Sequence, residues 1–188
     1  MQLRTNSVPT RSLALPLDCL RSHYGWCALF ALGALLLALM VPAVQAQEAY
    51  TGPVPPKSDI PYLLHASNLL ETEVAEAKVL KQKDHETTFA IDGETSPVRT
   101  PLPEPIFIIK ADRIRPESIQ MYQFEQKDSQ RQLKLKDNPG KNDAHPLFLT
   151  VTHLDGDLYK IEADEILENG EYSLSPSTGN EVFAFEVY

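Results

Sequence analysis

From Thr87 to Tyr188, apolar and polar side chains alternate in short runs broken by turn signals. A period of two sustained that far admits little except an antiparallel β fold, because successive strand residues point to opposite faces. In Arg131 to Lys136, Leu133 and Leu135 point one way and Gln132, Lys134 and Lys136 the other. Leu147, Leu149 and Val151 share a face in Pro146 to Leu154, as do Tyr159, Ile161 and Ala163 in the next run. Asp155-Gly156 separates those two runs and reads as a hairpin turn, where residues that tolerate positive φ are favoured. Thr88 to Ile91 ends at Asp92-Gly93, and Ser118 to Gln126 is followed by a polar turn at Lys127 to Gln130. Pro105 to Lys110 (PIFIIK) is apolar on both faces and suits a central strand. With Glu171 to Leu174 and Val182 to Tyr188 the pattern predicts seven or eight strands, mainly β, in an antiparallel sandwich or barrel.

Upstream the period changes. Leu69, Leu70, Val74, Ala77 and Leu80 follow three-and-four spacing in a stretch rich in Ala, Glu, Leu and Lys. Glu73 and Glu76 sit early, Lys78, Lys81 and Lys83 late, and Ser67 precedes as a cap. This predicts one N-terminal helix at about 69–83, with Tyr62-Leu63-Leu64 a short strand or the helix start. Four prolines between Glu48 and Pro61 (53, 55, 56 and 61) predict an extended, loosely packed linker over 47–61, with one domain over 62–188.

Leu167 to Leu174 has the form L-x-x-G-x-Y-x-L. It resembles the tyrosine corner of immunoglobulin-like sandwiches, in which a tyrosine entering a late strand bonds back to the preceding loop. The resemblance implies an Ig-like topology, with Tyr172 as that tyrosine and Asn169-Gly170 as the tight turn before it. It covers eight residues, without the paired cysteines and core tryptophan, and implies nothing about function.

Trp26 to Val41 carries no charge and is followed by Pro42 and then Ala43-Val44-Gln45-Ala46. Arg4, Arg11 and Arg21 precede it against one acid, Asp18. This predicts a signal peptide over 1–46, cleaved after Ala46, and export to a periplasm or the cell exterior. An uncleaved anchor is the alternative, though the run falls short of the ~20 apolar residues that span a bilayer. Cleavage removes Cys19, Cys27 and Trp26, so the remaining chain has no disulfide; it has no glycosylation sequon either, which fits a bacterial route better than a eukaryotic one.

The leader holds three of the 17 basic residues and one of the 26 acidic ones, which leaves 14 against 25, a net charge of about −11. Nucleic-acid backbones and anionic membranes are poor partners for such a surface. A membrane-spanning barrel is disfavoured too, because Glu186 would face lipid in the register of Tyr188.

Catalytic motifs are missing from residues 47–188: no G-x-S-x-G elbow, no cysteine, no phosphate-cradling glycine loop and no paired metal-binding histidines among His65, His85, His145 and His153. His153, on the strand face of Leu149 and Val151, reads as a partly buried strand-end residue, and His145 as a solvated loop residue. Asp155, Asp157 and Asp164 are the candidate calcium ligands. The predicted function is a non-enzymatic binding module with a protein or envelope partner, and with no membrane span once the leader is removed. Its predicted contact is the backbone edge of the last strand, at Val182, Ala184, Glu186 and Tyr188. The rival readings are an envelope-associated hydrolase or accessory domain, for which Arg99 beside acidic residues in a concave pocket would speak, and a structural domain tethered by the leader.

Overall fold

A computed structural model describes residues 50–188. The predicted leader over 1–46, its predicted cleavage after Ala46 and the start of the predicted linker lie outside the described residues. Thirteen strands follow in order: β1 (Pro61–His65), β2 (Asn68–Glu71), β3 (Glu73–Glu76), β4 (Lys78–Lys83), β5 (Glu86–Asp92), β6 (Arg99–Thr100), β7 (Ile106–Lys110), β8 (Gln120–Lys127), β9 (Gln130–Lys136), β10 (Leu149–Asp155), β11 (Leu158–Ala163), β12 (Gly170–Ser175) and β13 (Glu181–Val187). A 3₁₀ turn, Pro116–Ser118, precedes β8. Five strands form one sheet in the order β10-β11-β7-β1-β2. Eight form the other, β3-β13-β12-β8-β9-β5-β4, with β6 beside β13. All pairings are antiparallel except β6 with β13.

The sheets face each other across a core of Leu63, Phe107, Ile109, Ile161, Met121, Tyr172, Leu174, Phe183, Phe185 and Val187. Phe185 stands between Phe107, at a ring-centroid distance of 4.8 Å, and Tyr172, at 5.6 Å. β7 is the middle strand of its sheet, as its unbroken apolar run implies. β12 and β13 are buried on both faces, and the second face has its own core: Ala77, Ile91, Phe124, Leu133, Val182 and Ala184. The chain explains why. The first and last strands of the larger sheet, β3 and β4, are separated by Ala77 alone. That sheet therefore curls back toward its own start and encloses the second core.

The predicted helix at 69–83 is not present. Those residues are β2, β3 and β4, one extended segment with junctions at Thr72 and Ala77. It lies along three sheet margins in turn, pairing with β1, β13 and β5. At the first junction Thr72 Oγ1 donates to Pro61 O at 2.7 Å; at the second, Ala77 N donates to Asn180 O at 2.8 Å. An isolated helix of this length is marginal in water and depends on packing for its stability. Here the backbone instead satisfies three margins that would otherwise be unpaired, and tertiary context overrides a propensity of tenths of a kcal/mol per residue.

The linker prediction also needs correcting at its C-terminal end. Pro55 and Asp59 are buried, and Pro61 already belongs to β1. Asp59 N donates to Lys110 O at 2.8 Å, and its carboxylate gathers three amides of the loop after β7.

Each strand expected from Thr87 onward is present within a few residues of its predicted bounds. The hairpin turn of β10 and β11 sits one residue later than Asp155-Gly156, since Asp155 pairs with Leu158 and leaves Gly156 and Asp157 as the turn, with Gly156 at φ 55°. The immunoglobulin-like order is not confirmed: those sandwiches carry seven to nine strands, whereas here the two sheets hold five and eight.

Candidate functional site

The last strand is closed on both sides. β12 lies along one side of β13; on the other, Val182 and Ala184 face Ala75 and Glu73 of β3, and Glu186 faces Arg99 of β6. Tyr188 N donates to Thr100 O at 3.1 Å. The edge predicted at Val182, Ala184, Glu186 and Tyr188 therefore does not exist as an open edge. Being last in the chain gave no information about being last in the sheet.

Tyr172 and Gly170 fall at the mouth of β12. The Tyr172 hydroxyl donates to Glu168 O at 2.7 Å, which ties the strand to the loop before it. Burial and the nearby Glu168 and Glu165 charges push this phenol up to about 12. Gly170 is not in the left-handed region; a Cβ there would stand 2.9 Å from the Gln123 side-chain nitrogen, so its constraint is space rather than turn conformation.

The three aspartates proposed for calcium are not gathered. Asp155 ends β10 and Asp157 lies in the β10–β11 turn, while Asp164 follows the far end of β11. A strand of six residues separates them by about 20 Å. Asp164 instead accepts from Thr150 Oγ1 at 2.5 Å, and Asp157 lies 3.7 Å from Lys110 Nζ. Among the described residues no group of three or more His, Cys, Asp or Glu side chains is placed to hold a metal. His153 is exposed rather than partly buried: its Nε2 lies 2.9 Å from Gly156 O, and its ring stands edge-on to Tyr159. His145 is exposed in its loop.

The interior of the curled sheet is graded along its axis. At one end Arg131 of β9, 1% exposed, forms a two-pronged bond with Glu73 of β3 at 2.6 and 2.8 Å. It also donates to Gly93 O and Asp92 O, and lies 3.8 Å from Glu171 of β12. Glu171 is equally buried; its Oε2 accepts from Ser96 N at 3.0 Å, and its Oε1 has no hydrogen-bond partner. Burial pushes the Glu171 carboxyl up, against the opposing pull of the Ser96 amide and Arg131. Arg99 does lie beside an acid, but outside this interior: it pairs with Glu186 at 2.7 Å and stacks on the Tyr188 ring at 4.4 Å, half exposed. Sequence reading did not single out Arg131, because an alternating R-x-L-x-L strand does not reveal which face will be enclosed.

At the other end the interior opens as a cleft of about 270 Å³, with Phe89, Tyr122, Leu133, Leu135 and Val182 among its lining residues. Beside it runs β4. Among the described residues β4 pairs with β5 and with no second strand, and all six of its residues are exposed. Val79 and Leu80 present apolar surface at 54% and 48% exposure. The register is interrupted between Val79 and Lys81, which leaves Leu80 as the bulged residue. This margin combines a one-sided backbone ladder with an exposed apolar pair. In comparisons with protein-family models, curated proteins and solved structures, no match to this chain was found.

Proposed function

We propose that this chain is an exported, non-enzymatic interaction module that binds a protein partner by strand addition along β4. One observation carries the reading: β4 is a six-residue strand, exposed throughout, with a backbone ladder on one side. An edge of this kind offers a row of N–H and C=O groups to an incoming extended segment, and neighbouring side chains supply the selectivity. The apolar pair Val79 and Leu80 adds surface that burial in a complex would remove from water. Export rests on the apolar run from Trp26 to Val41 and the small residues before Gln47. The charged end of the curled sheet supports binding over catalysis, since Arg131 spends its donors on Glu73 and two backbone carbonyls.

The test is site-specific photo-crosslinking of the full-length chain in living cells. The crosslinking residue is placed at Leu80, with Leu102 as an exposed control elsewhere. A discrete adduct from Leu80 that Leu102 does not give is the expected result. Equal labelling from both positions, or none from Leu80, overturns the proposal.

A further inference from the structure

The strand register gathers charge where the sequence scatters it. Lys81 of β4 lies opposite Thr88 of β5, and Thr88 lies opposite Lys134 of β9. One step along, Lys83 faces Glu86, which faces Lys136. Residues directly opposite in an antiparallel ladder share a face. Counting Lys78, which lies opposite Ala90 and pairs with Asp92, five lysines therefore stand on one face of the β4–β5–β9 margin, in a chain whose net charge beyond the predicted leader is about −11. Lys134 is paired with Glu86 at 2.9 Å and Lys136 with Asp143 at 2.6 Å. Among the described residues Lys81 and Lys83, nearest the open margin, have no ion-pair partner.

We infer that the strand received by β4 is acidic, with carboxylates at alternate positions that fall opposite Lys81 and Lys83. This rests on the strand-addition reading above and names the chemistry of its partner. The register sets the spacing: residues two apart on an added strand share the lysine face, so the recognised pattern is acid, any residue, acid. A second copy of this chain is a poor occupant, because pairing β4 with β4 sets lysine against lysine. The backbone says where the contact must form. Lys83 and Glu86 close the β4–β5 turn, so in the alternating antiparallel ladder Gln82 directs its N–H and C=O away from β5, toward the open side.

The experiment measures binding of a fluorescein-labelled peptide, Thr-Glu-Val-Glu-Val-Thr, to the full-length protein by anisotropy. Hydrogen exchange read by mass spectrometry locates the contact. Controls are the same peptide with glutamine or lysine in place of glutamate. The expected result is that the acidic peptide binds most tightly, weakens as salt rises, and protects amides of residues 78–83. Lys81→Glu with Lys83→Glu lowers its affinity roughly tenfold and transfers preference to the lysine peptide. Gln82→Pro removes an outward-facing N–H that the β5 ladder does not use, and abolishes the protection. If the glutamine peptide binds β4 as well as the acidic one, the partner chemistry is wrong while strand addition stands. If Gln82→Pro leaves acidic-peptide binding unchanged, strand addition itself is wrong. Self-association through β4 in place of peptide binding overturns the choice of partner.

Discussion

Asp59 carries a sharp energetic expectation. Its carboxylate, 4% exposed, accepts from the amides of Asp112, Arg113 and Ile114 at 2.9, 2.9 and 3.0 Å through one oxygen, and from Arg113 Nε at 3.1 Å through the other. Burial alone would raise its pKa; the three backbone donors and Arg113 outweigh that and lower it from 3.8 to about 2. A depressed carboxylate stabilises the fold above its unfolded pKa, and that contribution is lost as pH falls through the folded value. At 1.36 kcal/mol per unit the contribution at neutral pH is about 2 kcal/mol. Asp59→Asn keeps an oxygen for the amides but removes the charge, and asparagine tolerates the φ of 62° at this position. Urea unfolding at pH 7 should show Asp59→Asn less stable by about 2 kcal/mol. The difference should shrink as pH falls from about 4 to about 2, as the wild-type carboxyl takes up its proton. An equal difference at pH 7 and pH 2 would falsify the electrostatic account and leave packing as the cause.

Three further expectations concern the two cores. Arg131→Met leaves Glu73 and Glu171 facing each other without their cation and should cost about 3–5 kcal/mol in denaturant unfolding, as expected for a broken buried pair; a change below about 1 kcal/mol would mean the cluster is solvated. Glu171 has a raised pKa, so its protonated form favours the fold: wild type should lose stability relative to Glu171→Gln as pH rises above 4.5, and a gap independent of pH over that range would contradict the buried, unpartnered Oε1. Tyr172→Phe removes the bond to Glu168 O and should lower stability by about 0.5–1.5 kcal/mol in thermal unfolding; no shift would show that water replaces the bond at no cost.

Which strands were legible follows from where each finds its neighbours. β5, β7 to β9 and β11 to β13 have burial imposed by a sheet face, and alternation or an unbroken apolar run records it: Leu133 and Leu135 in one case, Phe107 to Ile109 in the other; β10, itself a margin strand, keeps its alternation through Leu149 and Val151, half-buried against the core. β2, β3 and β4 lie on sheet margins, where one side of the backbone bonds and much of the side-chain surface stays wet. Without a face to bury, selection for alternation is weak there, and the good helix formers of 69–83 were free to mimic a helix. The two-residue β6 is too short to carry any periodic signal.

The candidate site divides the same way. Lys81, Lys83, Lys134 and Lys136 are visible in the sequence, but they are fifty residues apart in two groups until β5 sets them in register. Val182 to Val187 shows a strand in its side chains, yet nothing local says that both of its flanks are occupied. By itself the sequence determined the β class, the turns and most strands, because a period of two is a local consequence of backbone pleat. Only the tertiary structure decided which margins stay open, where the larger sheet curls, and that Arg131 and Glu171 are enclosed. Those depend on backbone pairing between distant segments, and a hydrogen-bond ladder leaves no side-chain signature at the positions it joins.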